Sequence, residues 1–182
     1  MTQALYFIIG AVTQLVLLLF LLRFWLPLLH VDFRNPLAQG ILRLTSPAIV
    51  PVRRLLPPVG RIDTATVLIL LVLQTLAIVL LLLLTGRMFD PLSIAVVAVI
   101  ELAAHSLNMF FFAVLISVIL SWLAPQTYHP VVAMVNSMAE PILRPFRRML
   151  PPLGGLDISP IFALILLQAG VILLRSLRPF YV

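Results

Sequence analysis

Glu101, His105 and Asn108 follow one another at spacings of four and three residues inside an otherwise apolar run. That spacing puts three polar groups on one face of a helix, with Phe112 continuing it. An ionisable group within a membrane span is expensive and marks an ion or proton path by default. The run is also overlong, so a place at its wet outer end accounts for Glu101 and His105 as well. Two potential ligands are too few for a dedicated metal site. Gln74 and Gln168 lie 94 residues apart, each deep within an apolar run. A buried amide in lipid needs a partner. The two either bond across helices, facing each other at a seam or facing equivalent surfaces of the first and third spans, or line a polar path. Gln14, Ser117 and Ser121 carry a weaker form of the same signal.

The remaining candidates sit in a block that occurs twice. Pro47 to Asp63 reads PAIVPVRRLLPPVGRID, and Pro141 to Asp157 reads PILRPFRRMLPPLGGLD. Arg53-Arg54 and Arg147-Arg148 precede double prolines, then Gly60 or Gly154, then Asp63 or Asp157. Prolines stop a helix and hold an extended segment, and glycine permits the turn that follows. The block therefore reads as a stiff elbow, with Pro51 and Pro145 at its entrance. Its chemistry is either an Arg–Asp pair closing the elbow, with phosphate contacts from Arg144 and the remaining arginines, or a site for a specific partner. Glu140, before the second block, has no counterpart carboxylate in the first.

Composition sets the solvent. Of 182 residues, 63% are hydrophobic and 10% charged, too apolar for a soluble chain of this size. All twelve basic residues are arginine, whose planar fork suits carboxylates and phosphates. They cluster between apolar runs, which argues against nucleic acid and for anionic lipid headgroups, a protein partner in the membrane, or both. Self-association stays open. There is no cysteine, hence no disulfide or thiolate chemistry. No nucleotide loop, nucleophile elbow or metalloprotease helix is present, so no enzymatic activity is expected and no cofactor is indicated.

Four runs are long enough to span a bilayer: Leu5–Leu26, Ala65–Leu84, Ile94–Leu123 and Pro160–Leu174. The first lacks a preceding basic residue and is too long for a signal-peptide core, so it reads as a retained helix. Trp25 and Trp122 sit where tryptophan meets the interface. Ser159 is expected to cap the fourth helix, with Pro160 in its first turn. Residues 35–44 and 130–138 are short, apolar on one side, and read as interfacial helices, with a shallow re-entrant path as the alternative. His30 and His129 are loop residues at the interface. The fold class is thus an all-α membrane protein of four transmembrane helices. They form two parallel tandem repeats, 1–88 and 89–182, each with an interfacial amphipathic helix and a Pro/Arg-rich elbow.

Ser121-Trp122-Leu123 and the run from Glu140 through Pro160 resemble the signature of the YggT family, whose relatives include the YlmG proteins of bacteria and plastids. The second copy carries the full pattern. The first has Ser46 where the second has Glu140, Arg61 for Gly155, and Ala65-Thr66 for Ser159-Pro160. If the glutamate matters chemically, only the second copy supplies it. The resemblance covers nearly the whole chain. It implies a small integral membrane protein with no established enzymatic activity, and the duplicated form implies a Gram-negative inner membrane. Links of the family to osmotic tolerance and ion uptake, cell division and cytochrome assembly do not converge. Two readings follow: a scaffold or assembly factor acting through a cytoplasmic arginine surface, or a component of ion transport or osmotic-stress homeostasis.

Orientation comes from arginine. Arg34, Arg43, Arg53, Arg54, Arg61, Arg144, Arg147 and Arg148 lie on one side, and Arg87, Arg175 and Arg178 on the other, with Arg23 at the first boundary. The positive-inside rule then puts the elbows in the cytoplasm and both termini in the periplasm. A C-terminal alkaline phosphatase fusion is expected to be active and a fluorescent-protein fusion dark; the opposite pattern reverses the assignment.

Overall fold

The computed structural model describes residues 2–86, 90–123, 129–149 and 157–179. Arg87, the 88/89 boundary, and Pro151, Pro152 and Gly154 of the second elbow lie outside the described residues. The chain forms α1 (Thr2–Leu28), α2 (Pro36–Leu55), α3 (Thr64–Thr85), α4 (Pro91–Leu123), α5 (Pro130–Met149) and α6 (Ser159–Ser176). α1, α3, α4 and α6 are long and apolar enough to cross a membrane. α2 and α5 are the amphipathic helices. They stand 94 residues apart at both ends, so the two repeats keep one register.

Local chemistry sets the helix ends. At the end of α1, His30 takes a left-handed φ of 55°. The Val31 amide returns to the Leu26 carbonyl at 3.1 Å and the His30 amide to Pro27 at 3.3 Å. With Val31 and Leu26 both buried, this is a Schellman closure in which histidine holds the place glycine usually takes. Asn35 caps α2 by accepting from the Leu37 amide at 2.9 Å, ahead of Pro36. Its counterpart His129 does the same before Pro130, where Nδ1 accepts from the Val131 amide at 3.3 Å. The histidines are thus parts of helix ends. Gly86, at φ 65°, closes α3.

Two expectations about the block are corrected. The interfacial helices do not stop at residues 44 and 138; they run through Pro47 and Pro51, and through Pro141 and Pro145. The prolines remove backbone donors, but they lie on the exposed face, where the freed carbonyls can be solvated. The buried face of α2 is Ala38, Ile41, Thr45 and Ile49, at helical spacing. Only Pro57-Pro58 ends the helix. The first elbow is therefore shorter, a tight turn in which Val59 and Ile62 exchange backbone hydrogen bonds of 3.1 and 3.0 Å around Gly60 at φ 60°. Ser159 is likewise not a cap but the first residue of α6; the Asp157 carboxylate accepts from its amide at 2.9 Å.

α1 packs on α3, and α4 on α6, as the two repeat hairpins; α3 packs on α4 to join them. The pseudo-symmetric counterpart of that joint, α6 against α1, stays open as a cleft. Gly170 lets α6 approach α4 closely, since a Cβ there would meet Leu107 Cδ1 at 3.0 Å. Trp25, near the end of α1, turns inward. It donates to Ser106 Oγ at 3.2 Å and stacks edge-on against Phe110 at 4.9 Å. Trp122 is exposed. α2 and α5 lie across the ends of the hairpins and are tied together by Asn35 Nδ2 donating to the Pro130 carbonyl at 2.7 Å.

Arg23 fixes α1 to α2. It is 5% exposed, and Nη1 donates to the Leu42 carbonyl at 3.0 Å, Thr45 Oγ1 at 2.8 Å and Ser46 Oγ at 3.1 Å. Replacing it leaves buried acceptors without a donor. Arg23→Ala is expected to cost about 1.5–3 kcal/mol, the range for hydrogen bonds to charged groups, while Arg43→Ala, at an exposed position of α2, leaves the unfolding midpoint in detergent unchanged. Equal midpoints for the two variants would refute the anchoring role.

Candidate functional site

The candidate residues fall into two layers. The first is the elbow layer. Arg53 pairs with Asp63, whose Oδ2 also accepts from Thr66 Oγ1 at 2.8 Å. Thr64 Oγ1 donates to the Pro57 carbonyl at 2.8 Å and ties the start of α3 to the proline segment. In the second repeat, Arg147 is shared: Nε meets Asp157 Oδ2 at 2.8 Å and Nη1 meets Glu140 Oε2 at 2.5 Å. Burial pushes each aspartate upward, yet hydrogen bonds from its arginine and from Thr66 or Ser159 prevail and hold both below the usual carboxylate range. Burial opposes the charge of Arg147, but Asp157 and Glu140 outweigh it and raise its pKa above the ordinary arginine value.

Arg54, Arg144 and Arg148 are exposed and make no ion pair with the described residues. They lie with the pinned Arg53 and Arg147 in the C-terminal halves of α2 and α5. Glu140 joins them only in the second repeat. This layer can offer forked donors to phosphates or carboxylates without reorganising its backbone.

The second layer lies within the spans. Glu101 is 8% exposed and is paired with Arg178, with Arg175 Nη2 at 3.6 Å from its other oxygen. Glu101 thus lies at the level where α6 ends, as an outer-end position requires, but it is enclosed by protein and neutralised by arginines at and just past the end of that helix. Glu101, His105, Gln74, Tyr6, Thr13 and both arginines line a cavity of about 310 Å³ between all four spanning helices. Next to it, an open cleft of about 550 Å³ runs between α1, α4 and α6, lined by Gln14, His105, Asn108, Gln168, Phe112 and Arg175 among others. His105 and Arg175 border both. The single face read from Glu101 to Phe112 thus divides between two hollows.

The glutamines do not meet. Gln74 is 5% exposed, and its Oε1 is buried without a hydrogen-bond partner among the described residues. Gln168 is exposed on the lateral cleft. Because α3 and α6 are separated by α4, equivalent positions face different neighbours. Sequence reasoning also missed the donors and acceptors around Arg23, and the arginine partners of Glu101. The first could have been found by comparing positions 94 apart: Arg23 stands against Ser117, and Ser46 against Glu140.

The elbow pairs give a pH dependence with a definite sign. With the native aspartate pKa values below the unfolded value of about 3.9, the unfolded chain binds more protons on the acid side. The pairs therefore stabilise fully above that value and lose their effect as pH falls through the native values. A double Asp63→Asn, Asp157→Asn variant is expected to unfold at a lower midpoint at neutral pH and to lose less on acidification to about pH 3 than the parent does. Parallel acid limbs in the two proteins would show that these pairs do not drive the dependence.

Comparison with known proteins accords with this architecture. The family model described as CCB3/YggT matches twice, over residues 2–84 and 96–178. An uncharacterised protein of Pseudomonas aeruginosa is 42% identical over 169 residues, covering 92% of this chain and 85% of its own. The uncharacterised protein YggT of Escherichia coli K12 is 37% identical over 162 residues, covering 88% and 84%. A chloroplastic YlmG homolog of Arabidopsis thaliana is 34% identical over 77 residues, covering 42% of this chain and 30% of its own. No solved structure matches. With one match per repeat and relatives aligned over most of its length, the chain belongs to the CCB3/YggT family, as two tandem copies of the family unit.

Proposed function

We propose that the protein is a non-enzymatic membrane scaffold or assembly factor, and that the elbow layer is its working surface. One observation supports this above others. α2 and α5 are coupled by the Asn35–Pro130 hydrogen bond, and each presents arginines on a backbone held by an Arg–Asp pair. A surface of that kind binds anionic headgroups and acidic segments of a partner at low ordering cost. In the orientation expected from the arginine distribution it faces the cytoplasm of an inner membrane.

A second reading, a component of ion transport or osmotic-stress homeostasis, draws on the cavity around Glu101 and Gln74. A polar hollow between four spans is where permeation pathways are found.

The two readings separate by experiment. The scaffold reading expects the affinity-purified protein to retain a membrane partner that an Arg54→Ala, Arg148→Ala variant releases, with no ion flux in proteoliposomes. Flux that falls with Glu101→Gln or Gln74→Leu, and partner retention indifferent to the arginines, would instead favour transport.

A further inference from the structure

The two repeats differ at one place in a way that describes a ligand. In the first, the Arg23 guanidinium fills the angle between α1 and α2. Thr45 Oγ1 donates its proton to the Ile41 carbonyl at 2.6 Å and Ser46 Oγ to the Leu42 carbonyl at 2.5 Å, so both hydroxyls turn lone pairs toward the cation. In the second repeat the position of Arg23 is Ser117, and the position of Ser46 is Glu140. The angle between α4 and α5 is there a groove of about 470 Å³, lined by Ser117, Ser121, Asn136, Ser137, Glu140 and Arg147 among others.

Its hydrogen-bond inventory leans to acceptors. Ser117 donates to Asn136 Oδ1 at 2.7 Å, Ser121 to the Val118 carbonyl at 2.7 Å and Ser137 to the Ala133 carbonyl at 2.8 Å. Each hydroxyl has one proton, so the three hydroxyls are left with lone pairs, Glu140 adds a carboxylate, and the donors in the lining are Asn136 Nδ2 and the Arg147 guanidinium that Glu140 already engages. Glu140 and Asp157 share one ion-pair partner, Arg147. Where the first repeat has its own guanidinium, the second offers hydroxyl acceptors and the Glu140 carboxylate to a donor from outside.

We propose that this groove binds the primary ammonium of an aminophospholipid headgroup. The groove lies between the last turns of spanning α4 and the surface helix α5, at the depth where headgroups sit. Along α5, Glu140 is followed one and two turns later by the exposed Arg144 and Arg148. An acceptor pocket beside two basic residues matches an ethanolamine headgroup, ammonium on Glu140 and the hydroxyls, phosphate on the arginines. A trimethylated headgroup carries the same charge but donates no N–H hydrogen bond.

The test is native mass spectrometry of the purified chain titrated with phosphatidylethanolamine, phosphatidylcholine and phosphatidylglycerol. A one-to-one adduct with phosphatidylethanolamine is expected, preferred about tenfold over phosphatidylcholine, as one charge-assisted hydrogen bond implies. Ser117→Arg copies the first repeat and fills the groove with the protein's own cation. It is expected to abolish the preference and raise the unfolding midpoint. Glu140→Gln reduces the preference without filling the groove, so the inference stays testable if Ser117→Arg misfolds. Arg144→Gln weakens all three lipids alike. Equal binding of ethanolamine and choline lipids by the parent, or a preference that survives both Ser117→Arg and Glu140→Gln, overturns the assignment. So does a co-purifying polypeptide that Ser117→Arg displaces while lipid preference is absent, since the cation would then be a partner's side chain.

Discussion

Within a bilayer a polar group has no water to fall back on, and that constraint organises this chain. The charged residues buried at the spans are met by partners from another helix. Arg23 of α1 is held by the carbonyl and hydroxyls of α2, and Glu101 of α4 by Arg175 of the last turn of α6 and Arg178 just past it. Because such contacts join different elements, they set where helices sit as well as keeping charge tolerable. The apolar faces by themselves would pack in many rotations, since lipid competes for them on equal terms. The polar contacts select among those rotations.

Duplication explains the plan, and divergence explains its asymmetry. α2 and α5 keep one register, and Asn35 and His129 cap them by the same geometry with different side chains. Yet Arg23 has become Ser117, and Ser46 has become Glu140. One elbow aspartate holds its arginine alone, while the other shares it with a glutamate. The spans diverge too. α3 meets α4, but α6 leaves a cleft toward α1, so Gln74 is enclosed and Gln168 is open. A repeated sequence therefore gives one surface that is nearly two-fold and an interior that is not.

These two layers suit different tasks. The elbow layer is exposed and basic, and its aspartates hold arginines in place, which favours contact with headgroups or acidic partners. The intramembrane layer is closed around a neutralised carboxylate, with an amide oxygen left unsatisfied. An unsatisfied buried acceptor costs about 1–3 kcal/mol unless something fills the space beside it, so the cavity beside Gln74 is suited to water or a small polar group.

The sequence by itself determined the spans, the repeat, the elbow pairs and the family resemblance. Each is written in local pattern: apolar length, an offset of 94, and Arg and Asp ten residues apart across a proline turn. It ended the interfacial helices at residues 44 and 138, short of Pro47 and Pro141, because whether a helix runs on through a proline depends on whether the carbonyl it frees faces solvent. It gave Trp25 a depth but not the direction it faces, and it set Gln74 opposite Gln168, because hydropathy gives depth and not azimuth. Only the tertiary structure decided which face of α4 meets α3 and which meets α6. It alone brought Arg178, 77 residues away in the chain, onto Glu101. The reason is physical: side chains of different spans meet only after the helices pack, and in a lipid solvent the rotation of each helix is chosen by those few polar meetings.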